Sequence, residues 1–231
     1  MHQFETSASG VARSAAAPPP CARRPCARSL SAVRLAVTMT AMASTLLACS
    51  TATRQAPAAD VRPAYTAADV HFVAGMIGHH AQAIQMASWA PSHGASGSVR
   101  VLCERIVVAQ NDEIAFAQRW LREHNEFVPP ADPRGHLMPG MDQPMLMPGM
   151  LTPEQMAQLD AARGAEFDRL FLTFMIQHHQ GAITMVEQLL RAPGAAQDGA
   201  VFRFAADVNA DQTTEISRMN RMLDALKRSP L

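Results

Sequence analysis

The chain has 231 residues, with 20 basic and 20 acidic side chains and a formal charge of zero. Without the arginine-rich first 48 residues, 15 basic stand against 19 acidic side chains, a net of −4 that argues against a nucleic-acid partner. Three of the four cysteines, Cys21, Cys26 and Cys49, lie in or at the end of that segment, so no disulfide framework is available beyond it, and Cys103 reads as a buried structural thiol.

Residues 1–48 read as a targeting segment. Arg13, Arg23, Arg24, Arg28 and Arg34 precede LAVTMTAMASTLLA, an uncharged run of 14 residues too short to span a bilayer comfortably as a helix. Leu46, Leu47, Ala48 and Cys49 have the look of a bacterial lipoprotein signal, in which Cys49 becomes the lipidated first residue; an ordinary secretory signal peptide is the alternative. The stretch ahead of the apolar run is long for a signal peptide, which suggests a downstream start at Val11 or Val33. Residues 49–65 are small, polar and proline-containing, a flexible tether.

The folded part is expected over 66–228, a size suited to one domain. Within it the stretch MIGHHAQAIQM (76–86) returns as MIQHHQGAITM (175–185), identical at seven of eleven positions. The match extends to Asp69 and Phe72 against Asp168 and Phe171 at the same offset of 99. Gln110, Glu113, Ile114 and Leu121 then pair with Gln212, Glu215, Ile216 and Leu223 at an offset of 102. A duplicated unit of helix, short loop and helix follows. Apolar residues recur at three and four, as in Val73, Ile77, Ile84 and Ala87, which is helical periodicity. Thr66 with Asp69 resembles a capping box that starts the first helix; Thr152, Pro153 and Gln155 give the third the same start. Pro91 with the GASG run at 94–97, and Pro193 with Gly194, mark stops. The expected fold is all-α: a ferritin-like four-helix bundle of two repeated hairpins, 66–124 and 152–228, joined by a long methionine-rich crossover, 125–151. In that crossover Met138, Met141, Met145, Met147 and Met150 fall close to His136, and prolines rule out a continuous helix.

The residue types point to copper. Thioethers favour Cu(I) and imidazoles suit Cu(II), so a mixed set can hold both oxidation states. Met76 lies three and four residues before His79 and His80, spacings that bring side chains onto one helical face. Adjacent histidines point about 100° apart, so one of each pair is expected to face the interior and the other to flank it. The candidate metal ligands are Met76, His79, His80 and Met86, with their counterparts Met175, His178, His179 and Met185, and His136, Met138 and Met141 in the crossover. The competing reading makes the methionines core filler and lets Gln110, Glu113, Gln212 and Glu215 satisfy the imidazoles without any ion. A di-iron site needs Glu-x-x-His on two helices, but Met76 and Met175, or Ile77 and Ile176, stand where those glutamates would be. No phosphate-binding loop, nucleophile elbow or HExxH occurs, so no catalytic residue is assigned.

The two MIxHHxxAIxM motifs, the paired Q-x-x-E-I segments, the MPGM linker and the following LTPEQ and EFDRLF stretches resemble the bacterial domain of unknown function 305 family over about 66–226. The resemblance implies an exported ferritin-like bundle with copper binding by histidine and methionine in some members and no established catalytic activity. The expectation is a lipid-anchored protein of the cell envelope or periplasm that buffers copper or hands it to a copper-handling protein partner. The alternatives are a metal-free structural or interaction module, and a metal-dependent redox enzyme.

Overall fold

A computed structural model describes residues 65–228. The expected signal peptide, the lipidation at Cys49 and the tether up to residue 64 lie outside the described residues. The described chain folds into α1 (Ala67–Ser88), α2 (Gly97–Glu123), α3 (Pro153–Ala161), α4 (Gly164–Arg191) and α5 (Gly199–Arg228). Helix α1 packs against α2, α4 packs against α5, and the hairpins meet where α1 lies against α4. Among the described residues there is no β-strand, only an isolated antiparallel bridge between His136 and Met145 in the crossover. No described helix is long and apolar enough to cross a membrane.

The bundle matches the duplicated pattern, with one departure. The capping box at Thr152 is present, with Gln155 completing it, but it starts the short α3 and not the third long helix. Ala162 and Arg163 are extended and Gly164 takes φ +58°, a left-handed conformation that suits glycine. That break is held from the opposite hairpin: the Gly164 N–H donates to the His93 carbonyl at 2.8 Å. The His93 ring Nε2 lies 2.9 Å from the Asp160 carbonyl at the end of α3. The long helix α4 therefore begins without a side-chain cap.

Asp69 and Asp168 occupy equivalent repeat positions, and each reaches across to the other hairpin. Asp69 closes the cap of α1 with Thr66, and its other oxygen accepts the Ala196 N–H at 2.7 Å, in the α4–α5 loop. Asp168 accepts the Ser96 N–H at 3.2 Å to each oxygen, where α2 begins without help from its own Ser96 side chain. Both carboxylates are buried, so each hydrogen bond replaces lost hydration. Asp168→Ala leaves the Ser96 N–H without that acceptor and is expected to lower stability by about 2 kcal/mol, measured by urea unfolding. A change within experimental error would show that this contact does not join the hairpins.

Two apolar clusters fill the bundle. One contains Phe72, Met76, Ile77, Trp120, Met147, Met150, Met185 and Phe204; the other contains Met86, Leu102, Ile106, Phe167, Phe171, Met175 and Met219. The motif methionines are thus shared across the duplication: Met76 sits with Met185, and Met86 with Met175. Cys103 lies in the second cluster, and burial pushes its thiol up to about 12, with Asp168 adding to the shift. An inert structural thiol fits that environment.

Candidate metal centre

The four motif histidines are all buried in the interior. The expectation that one of each pair would flank the core is corrected, because α2 and α5 cover the second members, His80 and His179. The first members, His79 on α1 and His178 on α4, meet at the contact between the hairpins, with ring centroids 3.9 Å apart.

Their hydrogen bonds fix the tautomer. A carbonyl can only accept, so His79 donates its Nε2–H to Pro148 O at 3.0 Å, and His178 donates its Nε2–H to His79 O at 3.0 Å. In a neutral ring the lone pair then belongs to Nδ1. Neutrality is enforced: burial pushes His79 down to about 3, with His80 adding to the effect and the bond to Pro148 opposing it. Burial also carries His178 well below its ordinary value, reinforced by His79, His179 and His80. Both Nδ1 atoms are buried without a hydrogen-bond partner.

The outer pair is built on carboxylates. His179 Nε2 lies 2.6 Å from Glu215 Oε2 and donates to it, while His80 Nε2 lies 3.0 Å from Glu113 Oε2 but off the direction an aligned hydrogen bond requires. Here too both Nδ1 atoms lack a partner. Gln110 and Gln212 are buried on the same helices, yet both amide atoms of Gln110 and Oε1 of Gln212 are also unpartnered. Glu215 therefore satisfies one side of His179, Glu113 lies close to His80 without an aligned bond, and no hydrogen bond ties Gln110 into the network.

An imidazole anchored through one nitrogen on a carbonyl or carboxylate, with the other nitrogen bare, is how histidine is prepared as a metal ligand. Among the described residues, however, no three His, Cys, Asp or Glu side chains converge so as to hold an ion. An ion bound at an Nδ1 therefore needs thioether partners or a shift of the rings, and the same helices carry the buried thioethers Met76, Met86, Met175 and Met185. Such a donor set fits Cu(I) better than Zn(II).

The crossover is pinned where the two motifs differ. Gly78 in the first motif corresponds to Gln177, and Gln82 to Gly181. A Cβ at Gly78 would stand 2.6 Å from Gly135 O, and one at Gly181 2.0 Å from Pro148 O, so only glycine lets the crossover backbone lie on both helices. Gln82 donates to Pro133 O at 3.0 Å and Leu151 O at 3.1 Å and accepts from Leu151 N at 2.6 Å; Gln177 donates to Gly149 O at 3.3 Å. These contacts carry the Pro148 carbonyl to His79.

The crossover methionines divide. Met147 and Met150 point into the core, Met138 is half-buried, and Met141 and Met145 are exposed. His136 is buried with neither ring nitrogen in a well-formed hydrogen bond; burial and then the nearby His71 lower its pKa, against the Ala74 backbone. Of the crossover residues expected from sequence, His136 is brought to α1, while Met138 and Met141 stay in the outer turn joined by a 3.1 Å backbone bond. Sequence reasoning passed over His71 and the Pro148 carbonyl, and noted Met147 only as one of the crossover methionines, behind Met138 and Met141.

The lowered pKa values make a prediction for the metal-free protein. Below pH 6.5 the unfolded chain takes up protons that folded His79 and His178 refuse, so the unfolded state binds more protons and stability falls with pH. The loss begins near pH 6.5 and accumulates towards about pH 3. Thermal midpoints measured between pH 7 and 4.5 are expected to fall continuously, and the decline is expected to shrink in His79→Gln/His178→Gln. An equal decline in that variant would place its origin elsewhere.

Comparison with known proteins follows the same lines. Similar solved structures include a DUF305 protein from Streptomyces coelicolor thought to be secreted, 25% identical with TM-score 0.59, covering 69% of this chain and 94% of that one. A DUF305 fragment from Deinococcus radiodurans is 26% identical with TM-score 0.58, covering 70% of this chain and 98% of that one. CopM, solved in Cu(I)-bound and Cu(II)-bound forms, shares the fold at 24% identity with TM-score 0.52, covering 68% of this chain and 96% of its own. No curated protein matches the chain. The family model for DUF305, a domain of unknown function, matches residues 69–223, and the chain belongs to that family.

Proposed function

We propose that this chain is an exported copper-binding protein of the cell envelope that buffers copper or hands it on, held to the membrane by a lipid on Cys49 and spaced from it by residues 49–65. The observation that carries the reading is the paired-histidine core: three imidazoles have their Nε2 atoms engaged by two carbonyls and a carboxylate, while all four Nδ1 atoms are buried and unpartnered. His79, His80, His178 and His179 supply nitrogen, and Met76, Met86, Met175 and Met185 supply sulfur. Thioether ligation stabilises Cu(I), and the imidazoles keep Cu(II) within reach of the same protein. CopM with bound Cu(I) and Cu(II), and a relative thought to be secreted, support the copper reading and the export. The proposal assigns binding and transfer, with no catalytic step.

The metal-free alternative draws on Glu113 and Glu215, which partner the outer histidines much as a polar core would. Alanine at His79, His80, His178 and His179 together separates the two. The copper reading expects the variant to lose at least one tightly bound copper ion per chain while circular dichroism remains helical; an unchanged copper count would reduce the histidines to core structure. Oxygen consumption by the copper-loaded wild type would instead reveal a redox enzyme.

A further inference from the structure

A second group of soft ligands lies outside the paired-histidine core, where α1, α4 and the crossover meet. His71, exposed in the first turns of α1, lines a cavity of about 90 Å³ together with Met147 of the crossover and Met185 of α4. That volume exceeds the roughly 10–15 Å³ that a water molecule needs. One helical turn after His71, Gly75 faces the same two methionines: a Cβ there would stand 2.7 Å from Met147 Cε, 3.2 Å from Met185 Cε and 3.6 Å from Met147 Sδ. The glycine thus leaves the space in which two thioether ends from different elements converge. Met147 and Met185 are 6% and 3% exposed, so a sulfur-bound ion would be largely shielded from water.

His136 adjoins this group through His71. Its ring packs edge-on against His71 with centroids 5.6 Å apart, and it is 1% exposed, with neither ring nitrogen in a well-formed hydrogen bond although the Ala74 backbone lies within reach. Its backbone is fixed by the antiparallel bridge to Met145, through bonds of 2.8 and 2.9 Å, so the buried ring is held in place. His71 has no counterpart in the second repeat, where Leu170 stands at the matching position, and His136 belongs to the unrepeated crossover. The group therefore occurs once, in contrast to the duplicated motif.

We propose that His71, His136, Met147 and Met185 form a peripheral site for a soft monovalent cation, Cu(I) or Ag(I), through which the ion first meets the bundle. The exposed imidazole is the point of capture, and the buried thioethers select against hard divalent ions. This site rests on the copper reading above, moves Met185 from the core sulfurs of that reading to the periphery, and adds His71, His136 and Met147, which the paired-histidine motif does not contain.

The test uses silver ion alone as the probe, added in chloride-free buffer to the full chain carrying ¹³C-methyl methionine, with ions counted by native mass spectrometry. The Met147 and Met185 methyl resonances are expected to shift together with one equivalent of silver, and to do so equally in the His79, His80, His178 and His179 quadruple alanine variant. His71→Ala/Met147→Leu, which changes an exposed ring and a volume-matched side chain, is expected to bind one silver ion fewer than wild type with an unchanged helical spectrum. An unchanged ion count in that variant, or silver shifts confined to other methionines, would overturn the peripheral site and leave the core reading standing. Absence of silver from wild type and both variants alike would overturn the parent reading and this site together.

Discussion

Saturating Cu(I) is expected to raise the thermal midpoint of the wild-type protein by several degrees, and this rise is expected to be clearly smaller in His79→Gln/His178→Gln, where only binding outside the inner pair remains. Any ligand that binds only the folded state stabilises it by RT ln(1 + [L]/Kd), about 2.7 kcal/mol when the free ion stands at a hundred times Kd. For a domain of this size that corresponds to roughly 5–10 °C. Glutamine is the informative replacement because its amide can still donate to the Pro148 and His79 carbonyls that now accept from the imidazoles. It removes the Nδ1 lone pair while retaining the donor. Anaerobic calorimetry with and without copper measures the effect; an equal copper-induced rise in both proteins would exclude the inner histidines as ligands.

Gly181→Ala is the second large perturbation. The added methyl would stand 2.0 Å from Pro148 O and 2.5 Å from Gly149 Cα, and both are backbone atoms with no flexible end to swing aside. Gly149 itself has φ +76°, so the crossover has little freedom to adjust without strain. Overpacking of this kind costs about 3 kcal/mol. The consequence reaches the metal centre, because displacing Pro148 removes the acceptor that orients His79, and loss of such an outer partner lowers metal affinity by about 10- to 100-fold. Urea unfolding and competition against a copper chelator read the two effects separately. Wild-type values in both would show that the crossover does not hold His79 in position.

Much of this was legible because a duplication repeats its own evidence. The spacing of Met76, His79, His80 and Met86 against Met175, His178, His179 and Met185 placed both motifs on equivalent helices, and α1 and α4 carry them. The capping box at Thr66 was read correctly. Thr152 was also a true cap, but the helix it starts stops after nine residues, because two extended residues and a left-handed Gly164 interrupt a pattern that still looks helical locally. Asp69 and Asp168 were visible as repeat markers, whereas their bonds to Ala196 and Ser96 depend on how the hairpins dock. In the crossover, proximity along the chain favoured Met138 and Met141 beside His136. With His136 paired antiparallel to Met145, Met138 is instead left half-buried, Met141 and Met145 face solvent, and Met147 is delivered to α1 and α4. His71 carried no periodic signal, and only folding brings His136 to it.

The most direct test of the central claim is a metal count. Residues 50–231 would be titrated with Cu(I) under reducing anaerobic conditions, then with Cu(II), with zinc as the control, and bound ions counted by native mass spectrometry. At least one tightly bound copper ion per chain with little zinc is the predicted result. Copper no tighter than nonspecific adsorption, or zinc bound equally well, would contradict it and return the paired histidines to the role of core structure.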